Sequence, residues 1–391
     1  MRVAFNALCL QEPGTGAGRY AYHLLRSLGR VDGVTEYAIF SPKPPKDVPD
    51  TPSTFTWETV PVTVPVGRVG RGGEQVERAF WEQRTFPAAA RRAEAALMHV
   101  PYFAPPFQAL HIPTVVTIHD VIPLRLPLYR SPASQAYGRV VMRAARNAAA
   151  VITVSDYSKA DIMETLAIPE DRVHVIREAP TGQPRVVQDP LRLREVRLRY
   201  GLGERFVLNV GGLDARKNLR GLLGAFAAAF HELHDPELML FVAGDPERLG
   251  SSPLYPDWRP LAATFGVAGN VVCVPVAEED IPALHGAASC FAYASVYEGF
   301  GLAPLEAMAC GAAVVCSDRA ALPEVVGSAG ILVNPDDPNQ FGAALHRVLT
   351  SQVLRDDLRA RGLARSKQFS WDQVAVETST LYAEVTGTKR D

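Results

Sequence analysis

Cysteine is scarce in this sequence: five residues in 391, namely Cys9, Cys273, Cys290, Cys310 and Cys316. An odd count without a C-x-x-C spacing excludes a disulfide framework and a zinc ribbon. Most of the five stand in apolar runs that suit buried, reduced thiols. Long hydrophobic stretches are missing too, and no apolar run is long enough to span a bilayer. A charge excess is missing: the net charge of −2 gives no global signal for nucleic acid. No D-x-D motif offers itself to a divalent metal. No internal repeat of 20–50 residues and no low-complexity tract occurs. The opening MRVAFNALCLQEPG carries polar Asn6 within a short apolar run and reads as a first strand, not a signal peptide. These absences leave a cytoplasmic soluble protein as the expectation, with no metal and no nucleic-acid partner. Arginine is locally dense from Arg68 to Arg92. That density suits a solvated helix face, and it also leaves open peripheral contact with the inner face of a membrane or with an acidic acceptor.

Apolar residues are plentiful at 47%, against 21% charged, which is the composition of a folded chain. At roughly 100–200 residues per domain, the length predicts two or three domains. Strand-like runs occur at 2–8, 37–40, 56–60, 96–100, 114–118, 150–154 and 173–176. Helical patterns separate them at 17–29, 74–94, 134–148 and 157–166. A second series has strands at 205–210, 237–243, 270–275, 288–292, 312–316 and 330–333. Its helices are expected at 217–231, 258–265, 279–286, 304–309, 338–349 and 352–366. Near-continuous runs such as VVTI and FVLNV suit parallel strands covered on both faces. The alternation predicts an α/β class with two doubly wound sheets. The boundary is expected near 180–190, where EAPTGQPRVVQDP loses periodicity. Ligands of such sheets sit beyond the carboxyl ends of the strands, and two such domains would place a site in the cleft between them.

Loops that follow strands therefore carry the candidate chemistry. In SVYEGFGLAPLEAMACGAAVV, residues 295–315, Glu298 and Glu306 flank a glycine turn and a helix start marked by Pro304. Backbone N–H groups of 300–303 and the helix dipole form an anion site there. The two carboxylates suit hydroxyl recognition on either side of a diphosphate, a sugar at one end and a ribose at the other. Either glutamate alone would be an ordinary acidic residue at a helix start. In NVGGLDARKNLRGLLGAF, residues 209–226, Arg216 and Lys217 follow a strand and two glycines. Two fixed cations there suit a pyrophosphate. In VVTIHDVIPL, His119 and Asp120 follow a buried strand, and Asp120 either orients the imidazole or caps the loop. Near the start, Gly14, Gly16 and Gly18 precede a helix. Arg19 breaks the G-x-G-x-x-G spacing, so a loop touching phosphate or sugar fits better than a dinucleotide site. Weaker candidates are Gly244 and Asp245 lining the same cleft, Ser155 as a helix cap or acceptor contact, and His99 facing the acceptor or simply structural.

The combination of the N-terminal glycine loop, TIHD, TVSDYSK, NVGGLDARKN, FVAGD, YEGFGLAPLEAMACG and a closing FSWDQVA segment resembles the GT4 family of retaining glycosyltransferases over nearly the whole chain. The resemblance implies the GT-B fold, two Rossmann-like doubly wound domains facing an interdomain cleft. It implies an acceptor-binding domain of 1–182 with a returning segment 371–391, and a donor-binding domain of 183–370. By the same resemblance Glu298 contacts donor-sugar hydroxyls and Glu306 the ribose, and Arg216 and Lys217 bind donor phosphates. His119 lies near the transferred sugar and Gly16 near the β-phosphate. The backbone of Phe300, Gly301 and Leu302 supports the pyrophosphate, and the backbone near Val276 meets the base. Many relatives carry an arginine where this chain has Gly212, which shifts phosphate binding onto Arg216 and Lys217. No cofactor is implied beyond a nucleotide-sugar substrate. The partners expected are a nucleotide-sugar donor, GDP-mannose being favoured, and a hydroxyl acceptor that is a glycan, a lipid-linked sugar or a small molecule. A sugar-nucleotide epimerase of the same fold and a non-catalytic nucleotide-sugar or glycan binder remain alternatives.

Overall fold

The fold is seen in a computed structural model that describes residues 1–62, 73–107, 111–129, 138, 141, 144–182 and 184–388. The chain divides into two compact units, one of Met1–Glu178 with Ser370–Asp391 and one of Ala179–Phe369.

The first unit is built on a seven-stranded sheet. Its strands are β1 (Arg2–Asn6), β2 (Glu36–Ser41), β3 (Phe55–Thr59), β4 (Leu97–Val100), β5 (Thr114–Thr117), β6 (Ala150–Thr153) and β7 (Val173–Val175). They run in the order β3-β2-β1-β4-β5-β6-β7, every pair parallel. The inner strands LMHV, TVVT and AVIT are buried at every position, as strands with both faces covered must be. Helix α1 (Gly16–Val31) follows β1 and is capped by Thr15, whose side chain accepts from the Gly18 N–H. Gly18 is required there, because a Cβ would stand 2.4 Å from the Glu12 carbonyl oxygen. Helix α2 (Asp156–Leu166) is capped by Ser155. Residues 73–92 are helical throughout, with a π turn at Trp81–Thr85. Most of the helix expected at 134–148 lies outside the described residues, as do Arg68 and Arg71 of the arginine-dense stretch.

The second unit holds a six-stranded parallel sheet in the order β10-β9-β8-β11-β12-β13. These strands are β8 (Phe206–Val210), β9 (Met239–Ala243), β10 (Val271–Val274), β11 (Cys290–Tyr293), β12 (Val314–Ser317) and β13 (Ile331–Val333). Helix α3 (Pro190–Arg199) precedes β8 and stands where no helix is expected from the sequence. Helix α4 (Leu219–Leu233) begins two residues later than expected. Ala215–Lys217 form a separate 3-10 turn, and Asn218 takes a left-handed conformation and caps α4 through the Gly221 N–H. The unit also contains helices α5 (Ile281–Ala287), α6 (Leu302–Ala309), α7 (Pro338–Thr350) and α8 (Gln352–Ser366), with shorter helices at Arg259–Thr264 and Leu322–Val326.

The last helix, α9 (Trp371–Thr386), belongs to the first unit. It packs on α1, with Trp371 stacked on His23 at 5.2 Å and Tyr382 fully buried. Among the described residues no helix is long and apolar enough to cross a membrane.

Candidate active site

In each sheet the strand order reverses once, between β1 and β4 in the first unit and between β8 and β11 in the second. Open parallel sheets collect ligands at such reversals, beyond the carboxyl ends of the strands. In the second unit the loops leaving β8 and β11 carry Arg216, Lys217 and Glu298.

These three side chains converge. Lys217 Nζ donates to Glu298 Oε1 at 2.7 Å and to the Tyr293 hydroxyl at 2.6 Å. Arg216 Nη1 donates to Glu298 Oε2 at 2.6 Å and to the Tyr297 carbonyl at 3.1 Å, and Arg216 Nε pairs with Asp214 at 3.1 Å. The Tyr293 and Ser295 hydroxyls each donate to Glu298 Oε1 at 2.7 Å. Glu298 and Lys217 are both buried, at 9% and 6% exposure, so the pair is shielded from the solvent that weakens surface ion pairs. Burial works against the Glu298 charge, but Lys217 and Arg216 outweigh it and hold the carboxyl down at about 2. Burial likewise opposes the Arg216 charge, and Glu298 and Asp214 together raise its pKa further. Burial and the Glu298 charge push the Tyr293 phenol well up, so it stays a neutral bridge.

The loop from Gly211 to Lys217 owes its path to two glycines. Gly212 has φ of 95°, a conformation that side chains rarely adopt, so an arginine at this position would strain the turn. Gly301 has φ of 131° and begins α6. A Cβ there would press on Leu322 at 3.0 Å. The first helical hydrogen bond of α6 runs from the Leu305 N–H to the Gly301 carbonyl at 3.2 Å. The N–H groups of Leu302 and Ala303 therefore lie ahead of the ladder. Phe300 is buried and packs edge-on against Phe369 at 5.8 Å.

Glu306 lies one turn into α6. Its Oε1 accepts from the Thr181 N–H at 3.1 Å, the Thr181 hydroxyl at 2.9 Å and the Gly182 N–H at 3.2 Å. Those three bonds use one carboxylate oxygen and leave Oε2 outside them. Val276 is half-buried and follows β10.

In the first unit, His119 follows β5. Its Nδ1 lies 2.7 Å from Glu178 Oε1, its ring meets Tyr20 edge-on at 4.8 Å, and its carbonyl accepts from the Ser158 hydroxyl at 3.0 Å. Burial alone would lower the imidazole pKa, but the Glu178 and Asp120 charges and the Pro101 carbonyl raise it. Asp120 accepts from the Ile122 N–H at 2.9 Å, which makes it the loop cap, and Glu178 is the carboxylate on the imidazole. Gly16 is exposed at the first turn of α1, with open space where a Cβ would be. His99 does not face an acceptor. It is fully buried, with Nδ1 2.5 Å from the Tyr382 hydroxyl and Nε2 2.9 Å from the Thr117 hydroxyl. Both ring nitrogens are used inside the core of the unit.

Two family models match this chain: "Glycosyltransferase Family 4" over residues 14–179 and "Glycosyl transferases group 1" over residues 204–351. The alpha-maltose-1-phosphate synthase of Mycolicibacterium smegmatis is 33% identical over 70% of this chain and 73% of its own. The chain belongs to glycosyltransferase family 4. The O-antigen chain mannosyltransferase B of Escherichia coli is 29% identical to this glycosyltransferase over 98% of this chain and 99% of its own. The serotype-specific mannosyltransferase WbdA of Escherichia coli is 29% identical over 67% of this chain, a match that spans only 32% of WbdA. Among solved structures, sucrose-phosphate synthase from Thermosynechococcus elongatus superposes with a TM-score of 0.74 at 20% identity, covering 100% of both chains, and shares the fold.

Glu178, Tyr293, Ser295 and Asp214 contact the candidate residues of this glycosyltransferase, and sequence reasoning passed over them. Glu178 follows β7 as His119 follows β5, so the positional rule that selected the histidine could have found its partner. Tyr293 is the last residue of β11 and reads as core until its hydroxyl is placed.

Proposed function

We propose that this glycosyltransferase is a retaining hexosyltransferase that moves a sugar from a nucleoside diphosphate to a hydroxyl acceptor. The reading rests on the buried convergence of Arg216, Lys217 and Glu298 beyond β8 and β11, beside the start of α6. The full-length similarity to an O-antigen chain mannosyltransferase favours mannose, and GDP-mannose is the donor to try first.

The reaction breaks the bond between the anomeric carbon and a β-phosphate oxygen, and negative charge grows on the diphosphate. An ammonium has three donors, and Lys217 places two of them on Tyr293 and Glu298, which leaves one for a phosphate oxygen. Arg216 uses Nη1 and Nε on protein groups, and its Nη2 donors are the ones assigned to a phosphate oxygen. The backbone of Phe300, Gly301 and Leu302 and the α6 dipole add donors at the same end of the helix. Preorganised charge of this kind supplies the largest share of such barrier lowering. Glu298 takes the hydroxyls of the donor sugar, and Glu306 takes the ribose through Oε2. Val276 offers its backbone to the base, Gly16 approaches the β-phosphate, and His119 binds the transferred sugar. The second unit binds the donor and the first selects the acceptor.

Retention by double displacement would need a nucleophile on the far face of the sugar, and none is assigned. The acceptor hydroxyl attacks from the face the diphosphate leaves, and the leaving phosphate takes its proton.

The test is a panel of GDP-, UDP-, ADP- and dTDP-sugars, read by thermal shift and by donor hydrolysis. One nucleotide class should stabilise the protein and be slowly hydrolysed, and Glu306→Ala should abolish the stabilisation. Product NMR should show the donor's anomeric configuration kept. Failure of every nucleotide to stabilise the protein would defeat the reading.

A further inference from the structure

His119 Nε2 is buried and meets no hydrogen-bond partner among the described residues, although the other ring nitrogen is held at 2.7 Å by a buried glutamate. The Pro101 carbonyl favours the charged ring without making a bond of ordinary geometry to Nε2. A buried polar atom left unpaired is costly, so a fold that fixes one so firmly has a use for it. Everything else about the ring is settled within the first unit. Tyr20 packs edge-on at 4.8 Å, Ser158 holds the main-chain carbonyl, and Asp120 is occupied by the Ile122 N–H.

We propose that Glu178 is the positioning residue for His119: its carboxylate anchors the imidazole through Nδ1 and leaves Nε2 as the one ring atom offered to the transferred sugar. The proposal deepens the glycosyltransferase reading and rests on it for the identity of the ligand.

The charges support this division of labour. With Nδ1–H donated to Glu178, the ring is anchored as a donor on that side and the pair can carry a second proton at Nε2. A protonated imidazole paired with a carboxylate has no net charge. It can donate to a sugar hydroxyl without setting a bare cation beside a carbon that turns positive as the diphosphate leaves. The groups facing the ring are Tyr20 from α1, His99 from β4, Asp120 from its own loop and Glu178 after β7. Burial holds His99 neutral, down at about 3, and pushes the Tyr20 phenol up, so neither supplies a competing charge. Glu178 is the one carboxylate bonded to the ring among the described residues.

The experiment compares wild type, Glu178→Gln, His119→Asn and the double variant as full chains. Imidazole titration by NMR on histidine-labelled protein, with the His119 resonance assigned from His119→Asn, needs no substrate. Glu178→Gln should lower the His119 pKa by at least about one unit while the other histidines hold still. Kinetics on the sugar nucleotide that wild type hydrolyses fastest in the panel above should show kcat reduced roughly ten- to a hundred-fold in Glu178→Gln, with KM little changed. The matching limb of the pH profile should move to lower pH. In the His119→Asn background, Glu178→Gln should cost almost nothing further. An unmoved His119 titration would overturn the proposal, and so would an equal loss from Glu178→Gln in both backgrounds. If no sugar nucleotide is hydrolysed by wild type, the glycosyltransfer reading and its sugar fall together, while the titration still decides whether Glu178 governs the ring. Thermal unfolding of each variant separates these effects from loss of fold.

Discussion

At the scale of the residue, Lys217 and Tyr293 make a matched comparison. Lys217→Ala removes a cation from a buried carboxylate and, on the proposed chemistry, from the leaving diphosphate. Turnover at saturating donor should fall roughly ten- to a thousand-fold, as when a single oxyanion donor is lost. Tyr293→Phe removes only the hydroxyl that donates to Glu298 and accepts from Lys217, with ring and charges kept. It should cost roughly 1.5–3 kcal/mol of stability, the range for hydrogen bonds to charged groups, and a smaller share of turnover. Steady-state kinetics and chemical denaturation on both variants check the ordering. If Tyr293→Phe lowered turnover as much as Lys217→Ala, the cation would lose its special place. His119, Lys217 and Glu298 stood out in the sequence because each is polar and lies in a loop beyond an apolar strand, and Glu306 because it lies in the first turns of the helix that follows such a loop. Their partners were not. Tyr293 hides inside the strand pattern, and Glu178 sits 59 positions beyond His119 with nothing local to join them. Pairing across a sheet is a property of strand order, which a local pattern does not contain.

At the scale of the element, the parallel strands were easy to read because burial on both faces forces unbroken apolar runs. Helix α3 was not. Its sequence PLRLREVRLR places leucine at 191, 193 and 198, and only Val196 is fully buried, so no apolar stripe marks a helix. Its stability comes from Asp189 as cap, Pro190 in the first turn, and Arg192 and Arg199 reaching the fully buried Asp280, which also accepts from Tyr200 at 2.7 Å. That clasp joins α3 to the start of α5, and a carboxylate 81 residues from Arg199 leaves no trace in the local pattern. The α4–α7 contact is of a different kind, a close approach of two backbones. A Cβ on Gly342 of α7 would stand 2.8 Å from the Ala228 Cβ and 2.9 Å from the Ala225 carbonyl oxygen. Gly342→Ala should therefore destabilise by roughly 1–3 kcal/mol, the range for overpacking, although alanine is the better helix former. A thermal melt showing a gain instead would mean that the helices slide apart at little cost.

At the scale of the whole molecule, each unit buries one histidine that has no use for a proton. His99 in the first unit and His285 in the second are both fully buried, and burial lowers each to about 3. An unfolded chain binds a proton at these residues near the ordinary value of 6.5, so the folded state binds fewer protons throughout the interval from 6.5 down to 3. Their contribution to stability is present above 6.5 and is lost as the pH falls, at up to about 1.4 kcal/mol per pH unit for each. His119 has the opposite sign. Its pKa is raised, so its contribution is complete below 6.5 and fades as the pH rises through its folded value, which gives no protection against acid. The carboxylates held low, Glu298 and Asp280 among them, begin to matter only below the ordinary carboxylate range. The interval from about 6.5 to 4.5 therefore isolates the histidines. Thermal unfolding across it should show Tm falling with pH in the wild type. His285→Leu should flatten the fall, because leucine fills the space beside Phe291 and removes both the proton and the unpaired Nδ1. A variant whose Tm fell as steeply as the wild type's would show that His285 reaches solvent as the pH drops, and that the second unit opens around α5 before it unfolds.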